Sequence, residues 1–237
     1  VQLGEAPPPA EIFADYPYLS SFSDTMVEHA RELAGTLIRE CSLNESTRVV
    51  EVGSNDGYLL QHFAEAGVPT LGVDPAAAAC ELAAQRGVET RQEFFGEAVA
   101  GDLAAEGISP RVIVANNVMA HVPDVNDVVA GVRVLLAEDG MFVIETPYLR
   151  DLIGGLEFDT IYHEHVFYYS LTSLQALLAR HGLGRIDAQR VPIHGGSLRV
   201  FARAGTGATP AAERLLAEEE EWGVRRTEAY SEFSARV

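Results

Sequence analysis

Lysine is absent from this chain of 237 residues, so its 17 strongly basic side chains are all arginines. They are outnumbered by 35 acidic residues, and the formal net charge at pH 7 is −18. A surface with this excess of negative charge repels a phosphate backbone, so we expect no nucleic-acid partner. A small anionic ligand is still compatible with the composition, provided that several arginines converge on it.

Long apolar runs are also missing, and none approaches the roughly 20 residues that a membrane-spanning helix needs. The first residues, "VQLGEAPPPAEIF", lack the basic and apolar regions of a signal peptide. Cysteine is scarce, and Cys41 and Cys80 do not have the spacing of metal ligands. We therefore expect a cytoplasmic protein with reduced cysteines, no membrane partner and no metal.

Predicted strands and helices alternate along residues 48–145. The strands are "RVVEV", "TLGVD", "VIVAN" and "GMFVIET", and the helices are "YLLQHFAEA", "PAAAACELAAQR" and "VNDVVAGVRVLLA". This alternation predicts right-handed crossovers and a mostly parallel sheet, with ligands at the carboxyl ends of the strands. A further helix, "LTSLQALLARHG", and two closing strands, "GRIDAQRV" and "SLRVFARA", are predicted after it. The fold class is therefore α/β and Rossmann-like, with helices flanking the sheet.

Three regions are predicted along the chain. Residues 1–22 are rich in proline and aromatic residues, which favours an irregular arm. Residues 23–205 form the main domain. Residues 206–237 form a helical tail, the start of a C-terminal region, and the acidic run at 218–221 favours a solvated face over a binding role.

A glycine-containing turn follows the first predicted strand in "VVEVGSNDGYL". Gly53 permits a tight turn and a close approach of the backbone to a ligand, and Gly57 opens the next helix. Asn55 and Asp56 can form hydrogen bonds with polar groups of a ligand. Asp74 ends the second predicted strand, where a carboxylate suits two ribose hydroxyls. An ordinary turn that binds no ligand is the alternative.

The spacing G-x-x-x-G, with an acidic residue just before it, fits a nicotinamide site poorly because no set of amides is placed to cradle a pyrophosphate. The segment instead resembles the glycine-rich motif of S-adenosylmethionine-dependent methyltransferases. That cofactor carries an ammonium group and no phosphate, which an acidic loop can accommodate. The cofactor-binding residues that the resemblance implies are Glu51, Gly53, Ser54, Asn55, Asp56, Asp74, Pro75, Asn116 and Asn117.

Two histidines, one glutamate and three tyrosines lie together in "IYHEHVFYYS", residues 161–170. As a metal site, His163 and His165 would share a face of a strand and would need further ligands, such as His194 or His121. As an acid/base centre, a histidine would remove a proton, a glutamate would orient it, and tyrosines would bind an oxyanion. A polar loop without chemistry is the third interpretation.

The acid/base interpretation makes a geometric demand on this stretch. Tyr162, Glu164 and His165 cannot all face one pocket from a flat strand, because consecutive side chains point to opposite sides. We therefore predict a turn or an irregular coil, with His163 pointing away from the substrate.

Six segments carry a more specific resemblance: "DYPYLSSFSDTMVEHA", "VVEVGSNDGYLL", "NNVMAHVPD", "FVIETPYL", "EFDTIYHEHVFYYSLTSL" and "HGGSLRVF". Together they resemble the sugar C-methyltransferases of deoxysugar biosynthesis, a branch of antibiotic biosynthesis. The resemblance implies methylation at C-3 of a nucleotide-linked, usually dTDP-linked, 4-keto-deoxysugar, with an enolate attacking the methyl group of S-adenosylmethionine. The alternatives are an O- or N-methyltransferase acting on a small natural product, and a non-catalytic cofactor-binding module of a larger assembly.

The same resemblance implies roles for individual residues. His165 is the expected general base, paired with Glu164, and Tyr162 lines the sugar site. Tyr16 of the arm, which would lie over the active site, and His121 also face the sugar. The substrate-binding turn that it implies consists of His194, Gly195, Gly196 and Ser197.

Two departures from the resembled family limit what the sequence predicts. The four-cysteine zinc segment with which its members begin is not found here, so no zinc is expected. The chain also ends just inside the region that helps to hold the nucleotide. The nucleotide-binding residues, the exact sugar and the oligomeric state are therefore not predicted.

Overall fold

A computed structural model of the chain describes residues 8–13 and 18–237. The chain divides by its contacts into two units. The amino-terminal unit comprises Pro8–Ala115 and Asn126–Phe142, and the carboxy-terminal unit comprises Asn116–Val125 and Val143–Val237. The three regions predicted from the sequence stay a prediction, because this division follows contacts and not order along the chain.

The strands of the amino-terminal unit are β1 (Val49–Val52), β2 (Thr70–Val73), β3 (Thr90–Arg91) and β4 (Val112–Asn116). Their order is β3-β2-β1-β4, and every pair is parallel. In β1 and β4 every residue is buried, as expected for a strand that is covered on both faces. The predicted parallel arrangement is confirmed in this unit.

Helices lie before, between and after these strands along the chain. They are α1 (Pro9–Ile12), α2 (Asp24–Glu40), α3 (Leu60–Glu65), α4 (Ala77–Gln85), α5 (Glu97–Ala105) and α6 (Val125–Leu135), with a 3-10 helix at Ser20–Phe22. Helix α2 begins after Ser23, whose hydroxyl accepts a hydrogen bond from the Met26 N–H. Helix α5 was not predicted from the sequence. It buries only Ala100 and Leu103, and therefore lacks a clear apolar stripe.

The strands of the carboxy-terminal unit are β5 (Met141–Pro147), β6 (Leu183–Val191), β7 (Ser197–Arg203) and β8 (Gly205–Ala208), in the order β5-β7-β6-β8. Strand β6 pairs antiparallel with β7 and parallel with β8. The helices are α7 (Leu149–Gly155), α8 (Leu171–Arg180), α9 (Pro210–Trp222) and α10 (Glu228–Arg236), with 3-10 helices at Met119–His121 and Phe158–Thr160. The two closing strands are confirmed, whereas α7 and β8 were not predicted.

The charged tail differs from its prediction at one residue. It forms two helices, because Gly223 takes a left-handed φ of 89° and ends α9. Glu219, within the acidic run, is fully buried, so the solvated-face interpretation is wrong for this residue. Its carboxylate accepts hydrogen bonds from the Leu171 N–H at 2.6 Å and the Thr172 N–H at 2.8 Å. Glu219 therefore caps the first turn of α8.

No helix within residues 8–13 and 18–237 combines the length and the hydropathy that a membrane span requires.

Candidate active site

The loop after β1 turns through three left-handed residues, Gly53 (φ 65°), Asn55 (φ 49°) and Gly57 (φ 77°). Glycine adopts this conformation at little steric cost, and asparagine tolerates it better than most residues. The Gly53 N–H donates to the Val73 carbonyl at 2.8 Å, which ties the loop to the end of β2. The predicted glycine turn is therefore confirmed.

Asp74 follows β2 and is buried. One carboxylate oxygen accepts a hydrogen bond from the Asn55 N–H at 2.8 Å, and the other accepts from the Ala76 N–H at 2.9 Å. Burial raises the pKa of the Asp74 carboxyl, and these two backbone groups oppose that rise. Because an ionised carboxylate has roughly four acceptor sites, Asp74 can accept further hydrogen bonds from a ligand.

Glu51 lies on β1 and is fully buried. Neither of its carboxylate oxygens accepts a hydrogen bond from any residue that the structure describes. Burial raises the pKa of Glu51 well above its ordinary value, and the charges of Asp74 and Asp56 raise it further. A buried carboxylate without a donor is costly, so this cluster favours a cationic ligand. The buried Ser54 hydroxyl also lacks a hydrogen-bond partner in this part of the structure.

The side chains of Asn55 and Asp56 are engaged with residues 18–21 and with Arg86. The Asn55 amide oxygen accepts from the Ser20 N–H at 2.9 Å, and its nitrogen donates to the Tyr18 carbonyl at 3.0 Å. Asp56 accepts from the Ser21 hydroxyl and forms an ion pair with Arg86 at 2.8 Å. These two side chains thus have contacts within the chain, and their predicted contacts with a cofactor stay a prediction.

Asn116 and Asn117 follow the apolar part of β4, as predicted. Asn117 has a left-handed φ of 55°, and its N–H donates to the Glu145 carbonyl at 2.7 Å. The amide oxygens of both asparagines are buried and accept no hydrogen bond within the described ranges. They can therefore accept hydrogen bonds from a ligand. Pro75, another predicted site residue, lies between Asp74 and the N-cap of α4 at Ala76.

A buried ion pair lies on β5 and β7 and was missed in the sequence. Arg199 donates to the Glu145 carboxylate through Nε at 2.8 Å and through Nη2 at 2.7 Å. Both side chains are almost completely removed from solvent. Charged residues at buried strand positions usually have such a partner, and this pattern was the available signal.

His165 lies among aromatic rings, and its ring centroid is 4.4 Å from that of Tyr162, 4.8 Å from that of His121 and 6.2 Å from that of Tyr168. Its Nδ1 lies 2.9 Å from the Thr160 carbonyl oxygen, and its Nε2 lies 3.3 Å from the Tyr162 hydroxyl. Because a carbonyl can only accept, we assign the proton to Nδ1. Nε2 is then the basic atom.

Burial lowers the pKa of His165 below its ordinary value, although the hydrogen bond to Thr160 and the charge of Glu164 oppose this. Burial, and then the neighbouring His165, lowers the pKa of His121 to about 4. Both imidazoles are therefore neutral at neutral pH. A neutral His165 can accept a proton, and a neutral His121 can donate or accept a hydrogen bond.

Backbone contacts hold the two histidines together. The N–H groups of Val166 and Phe167 donate to the Ala120 carbonyl at 2.8 and 3.2 Å, and the Tyr169 hydroxyl donates to the Met119 carbonyl at 3.0 Å. Residues 161–166 form bends, turns and coil without a strand, which confirms the predicted irregular conformation. The His163 side chain is exposed.

The predicted pairing of Glu164 with the general base His165 stays a prediction. Within residues 18–237 no hydrogen bond joins the two, and the Glu164 carboxylate lies 3.9 Å from His163. Glu164 acts on His165 through its charge, and the Thr160 carbonyl orients the ring. Tyr16, the predicted residue of the arm, lies outside the described residues. No group of three or more His, Cys, Asp or Glu residues in the described ranges could hold a metal ion.

The predicted "HGGS" turn connects β6 and β7, with left-handed φ values at His194, Gly195 and Gly196. A Cβ at Gly195 would lie 2.2 Å from the Glu157 carboxylate, and one at Gly196 would lie 2.6 Å from the Asp151 carboxylate. A larger residue at either position would have a strained backbone and would displace one of these carboxylates. The neighbouring carboxylates disfavour a phosphate at this turn.

Ser197 is fully buried, and its hydroxyl donates to the Ile193 carbonyl at 3.1 Å. This hydrogen bond holds the end of the turn. A contact of the turn with a substrate stays a prediction.

Comparisons with known proteins identify the family. A family profile described as "Methyltransferase domain" matches residues 26–186, and one described as "C-methyltransferase C-terminal domain" matches residues 192–237. The chain belongs to the methyltransferase family. The predicted enzyme class and its dependence on S-adenosylmethionine are confirmed at the level of family and fold.

This methyltransferase is 38% identical over 229 residues to C-methyltransferase NovU of Streptomyces niveus, covering 95% of the chain and 54% of NovU. It is 27% identical over 135 residues to a ubiquinone biosynthesis O-methyltransferase of Bordetella avium, covering 56% of the chain and 53% of that relative. The chain thus spans about half the length of the curated relatives it matches.

Among solved structures, the methyltransferase resembles magnesium protoporphyrin IX methyltransferase from Synechocystis with bound SAH. The TM-score is 0.58 with 14% identity, over 82% of this chain and 92% of that one. At this identity the likeness shows the fold alone. The predicted fold class, a Rossmann-like methyltransferase fold with a mostly parallel sheet, is confirmed.

The residues of the amino-terminal unit fit the cofactor of this family. Asp74 has acceptor capacity for two ribose hydroxyls, and Gly53 leaves room for a close approach of the ligand to the backbone. The buried carboxylate of Glu51 would gain the donor that it lacks if an ammonium group were near it. The fit is one of charge as well as of shape.

Proposed function

We propose that this methyltransferase methylates carbon, at C-3 of a nucleotide-linked 4-keto-deoxysugar, with dTDP as the expected nucleotide. The observation that carries the proposal is the neutral His165, whose Nδ1 is anchored on Thr160 and whose Nε2 is the basic atom. The matched C-methyltransferase profile and the likeness to NovU support carbon as the methylated atom. The sugar and its nucleotide rest on the six resembling sequence segments.

Carbon next to a ketone must lose a proton before it can attack a methyl group. His165 Nε2 takes this proton as the C–H bond breaks, and the charge moves to the ketone oxygen as an enolate. Because burial keeps His165 neutral, the base is in its active form at neutral pH. The charge of Glu164 then stabilises the imidazolium, since it raises the pKa of His165.

The enolate oxygen needs hydrogen-bond donors that are already in place. Tyr162 supplies a hydroxyl beside His165, and the neutral His121 supplies a second polar group against the same ring. Both groups are uncharged, so they can form hydrogen bonds with the ketone oxygen without first losing or gaining a proton.

S-adenosylmethionine supplies an electrophilic methyl group on a positively charged sulfur. As the enolate carbon forms its bond to this methyl group, the bond from sulfur to carbon breaks and the sulfur becomes neutral. Asp74 would hold the ribose, and Glu51 would place a negative charge near the ammonium group. We place the reaction in the cytoplasm, as the sequence predicts.

The test is to incubate the chain with S-adenosylmethionine and a panel of dTDP-4-keto-deoxysugars in deuterated water. Mass spectrometry and NMR would follow methyl transfer and exchange at C-3. We expect a new carbon–carbon bond, and deuterium at C-3 even when S-adenosylhomocysteine replaces the methyl donor. A methylated oxygen with no exchange at carbon would overturn the proposal.

O-methylation of a small hydroxylated compound is the second candidate. The similarity to the ubiquinone biosynthesis O-methyltransferase favours it, because a neutral histidine can also remove a hydroxyl proton. A phenolic acceptor included in the same panel would separate the two reactions.

A further inference from the structure

The loop after β1 is bound to residues 18–21, a segment far from it along the chain. The Asn55 side chain contacts this segment at two backbone groups, the Ser20 N–H and the Tyr18 carbonyl. Both contacts have good hydrogen-bond lengths, 2.9 and 3.0 Å. Asn55 itself is buried.

The residue type at position 55 is required for two separate reasons. A primary amide carries one acceptor and two donors, and it therefore matches a peptide N–H and a peptide carbonyl at the same time. An aspartate of the same shape would place a carboxylate oxygen against the Tyr18 carbonyl, where two acceptors would repel each other. The left-handed φ of 49° is also tolerated better by asparagine than by most residues.

Asp56 provides a second connection to the same segment. It accepts a hydrogen bond from the Ser21 hydroxyl, and Arg86 Nη1 lies 2.8 Å from its carboxylate. Arg86 Nη2 donates to the Ser21 oxygen at 2.8 Å, which closes a three-residue network. One oxygen of the fully buried Asp56 carboxylate is thus compensated within the chain, while the other has no hydrogen-bond partner among the described residues.

Asn55 joins this segment to Asp74, the residue that is predicted to bind the ribose. Its N–H donates to the Asp74 carboxylate at 2.8 Å, while its side chain binds residues 18–20. One residue therefore contacts the cofactor-binding carboxylate through its backbone and the amino-terminal segment through its side chain.

We propose that Asn55 is a positioning residue, whose side chain fixes residues 18–20 on the cofactor loop and does not bind the cofactor. It acts on the reaction by holding this segment in place beside the loop. The inference rests on the proposed function only where turnover is measured. Amide exchange at Ser20 and the Kd for the cofactor can both be measured without a sugar substrate.

The test compares Asn55→Gly, which keeps the left-handed backbone, with Asn55→Asp, which keeps the shape of the side chain. Amide hydrogen exchange of Ser20 by NMR reports on the contact, calorimetry reports the Kd for S-adenosylmethionine, and steady-state kinetics separate kcat from KM. We expect exchange at Ser20 to rise about tenfold in Asn55→Gly, which removes the acceptor of this amide, and to rise less in Asn55→Asp, which keeps an acceptor oxygen but repels the Tyr18 carbonyl. We also expect kcat to fall while the cofactor Kd stays within about threefold.

Asn44 offers a matched control. Its amide oxygen accepts from the Ser46 N–H at 2.9 Å and its nitrogen donates to the Ser42 carbonyl at 3.1 Å, so it also binds two backbone groups, but within its own exposed turn. Asn44→Gly should change neither Ser20 exchange nor kcat. Ser21→Ala is the substitute if Asn55→Gly does not fold. It removes the hydrogen bond between Ser21 and Asp56 without altering the loop, and it should show the effects expected of Asn55→Gly in weaker form.

The inference is overturned if Asn55→Gly weakens cofactor binding tenfold or more while Ser20 exchange is unchanged, because Asn55 would then be a cofactor ligand. It is also overturned if Ser20 exchange rises and kcat is unaffected, because the contact would then be structural only. If the wild-type chain fails to methylate any ketosugar, the proposed function fails, but Ser20 exchange and the cofactor Kd still decide whether Asn55 binds the segment or the cofactor.

Discussion

The loop after β1 and the histidine cluster both contain buried titratable groups, and burial shifts the pKa values of the two regions in opposite directions while favouring the uncharged form in both. In the loop region, burial and neighbouring carboxylates raise the pKa of Glu51, so the ionised form of this side chain is favoured only when a cation lies near it. In the cluster, burial lowers the pKa of His165 and His121 and keeps them uncharged. The first arrangement suits a positively charged cofactor, and the second suits a proton acceptor. The same desolvation therefore prepares one region for binding and the other for chemistry.

The strongest test of this contrast is His165→Ala. We expect turnover to fall roughly 10²–10⁴-fold, because the base is lost, with cofactor affinity unchanged. Steady-state kinetics and calorimetry measure the two effects separately. His163→Ala is the matched control, since His163 lies two positions away with an exposed side chain, and it should keep full activity. Full turnover by His165→Ala would remove the acid/base role from the cluster.

Asp74→Ala tests the binding region. It removes the acceptors for two ribose hydroxyls, so we expect the Kd for S-adenosylmethionine to rise about 10–100-fold. Asp102→Ala, at an exposed position of α5, is the control and should have no effect. If Asp74→Ala binds the cofactor as tightly as the wild type, the ribose assignment is wrong.

The pH dependence of turnover sharpens the comparison further. Because the pKa of His165 is lowered from its ordinary 6.5, kcat should stay level around neutral pH and should begin to fall at a lower pH than with an ordinary histidine as the base. Glu164→Gln removes a charge that raises this pKa, so the acid limb should move to still lower pH. A pH–rate profile of both proteins checks the direction. A shift of the limb to higher pH would contradict the electrostatic role of Glu164.

The smallest expected effect is on the stability of the ligand-free protein. The pKa of Glu51 is raised above the 4.5 of an ordinary glutamate, so between these two values the folded state binds more protons than the unfolded state. Stability should therefore fall as the pH rises through this window. Glu51→Gln should reduce that fall and raise Tm by a few degrees at neutral pH, while weakening cofactor binding. Thermal unfolding between pH 4 and 8 measures it, and equal pH dependence in both proteins would contradict the prediction.

Local sequence patterns predicted the parts of the fold whose physical causes are themselves local. The apolar runs at β1, β2, β4 and β5 and the glycines at 53 and 57 needed no knowledge of distant partners. Helix α5 was missed because it shows only two buried side chains and contains Gly101 in its interior. Strand β3 was missed because it is only two residues long.

The candidate site was predictable in composition but not in its contacts. The residue types around His165 indicated acid/base chemistry, yet the orienting partner is the carbonyl of Thr160, which any residue could have supplied. Likewise, the side-chain amide of Asn55 could have bound a ligand or a distant peptide group equally well, and the sequence does not distinguish the two. Partners far along the chain, such as Glu145 and Arg199, are chosen by tertiary packing, and a single sequence carries no record of that choice.

The buried carboxylate of Glu219 has a consequence for protein engineering. It lies in the segment matched by the C-methyltransferase profile, yet it caps α8, which begins within the methyltransferase-domain profile. The junction at about residue 190 is thus an unsuitable place to exchange modules between relatives. In a chimera joined there, the Leu171 and Thr172 N–H groups would keep an acceptor only if the incoming segment brought a carboxylate to the position of Glu219. Transplanting both partners together is the safer design.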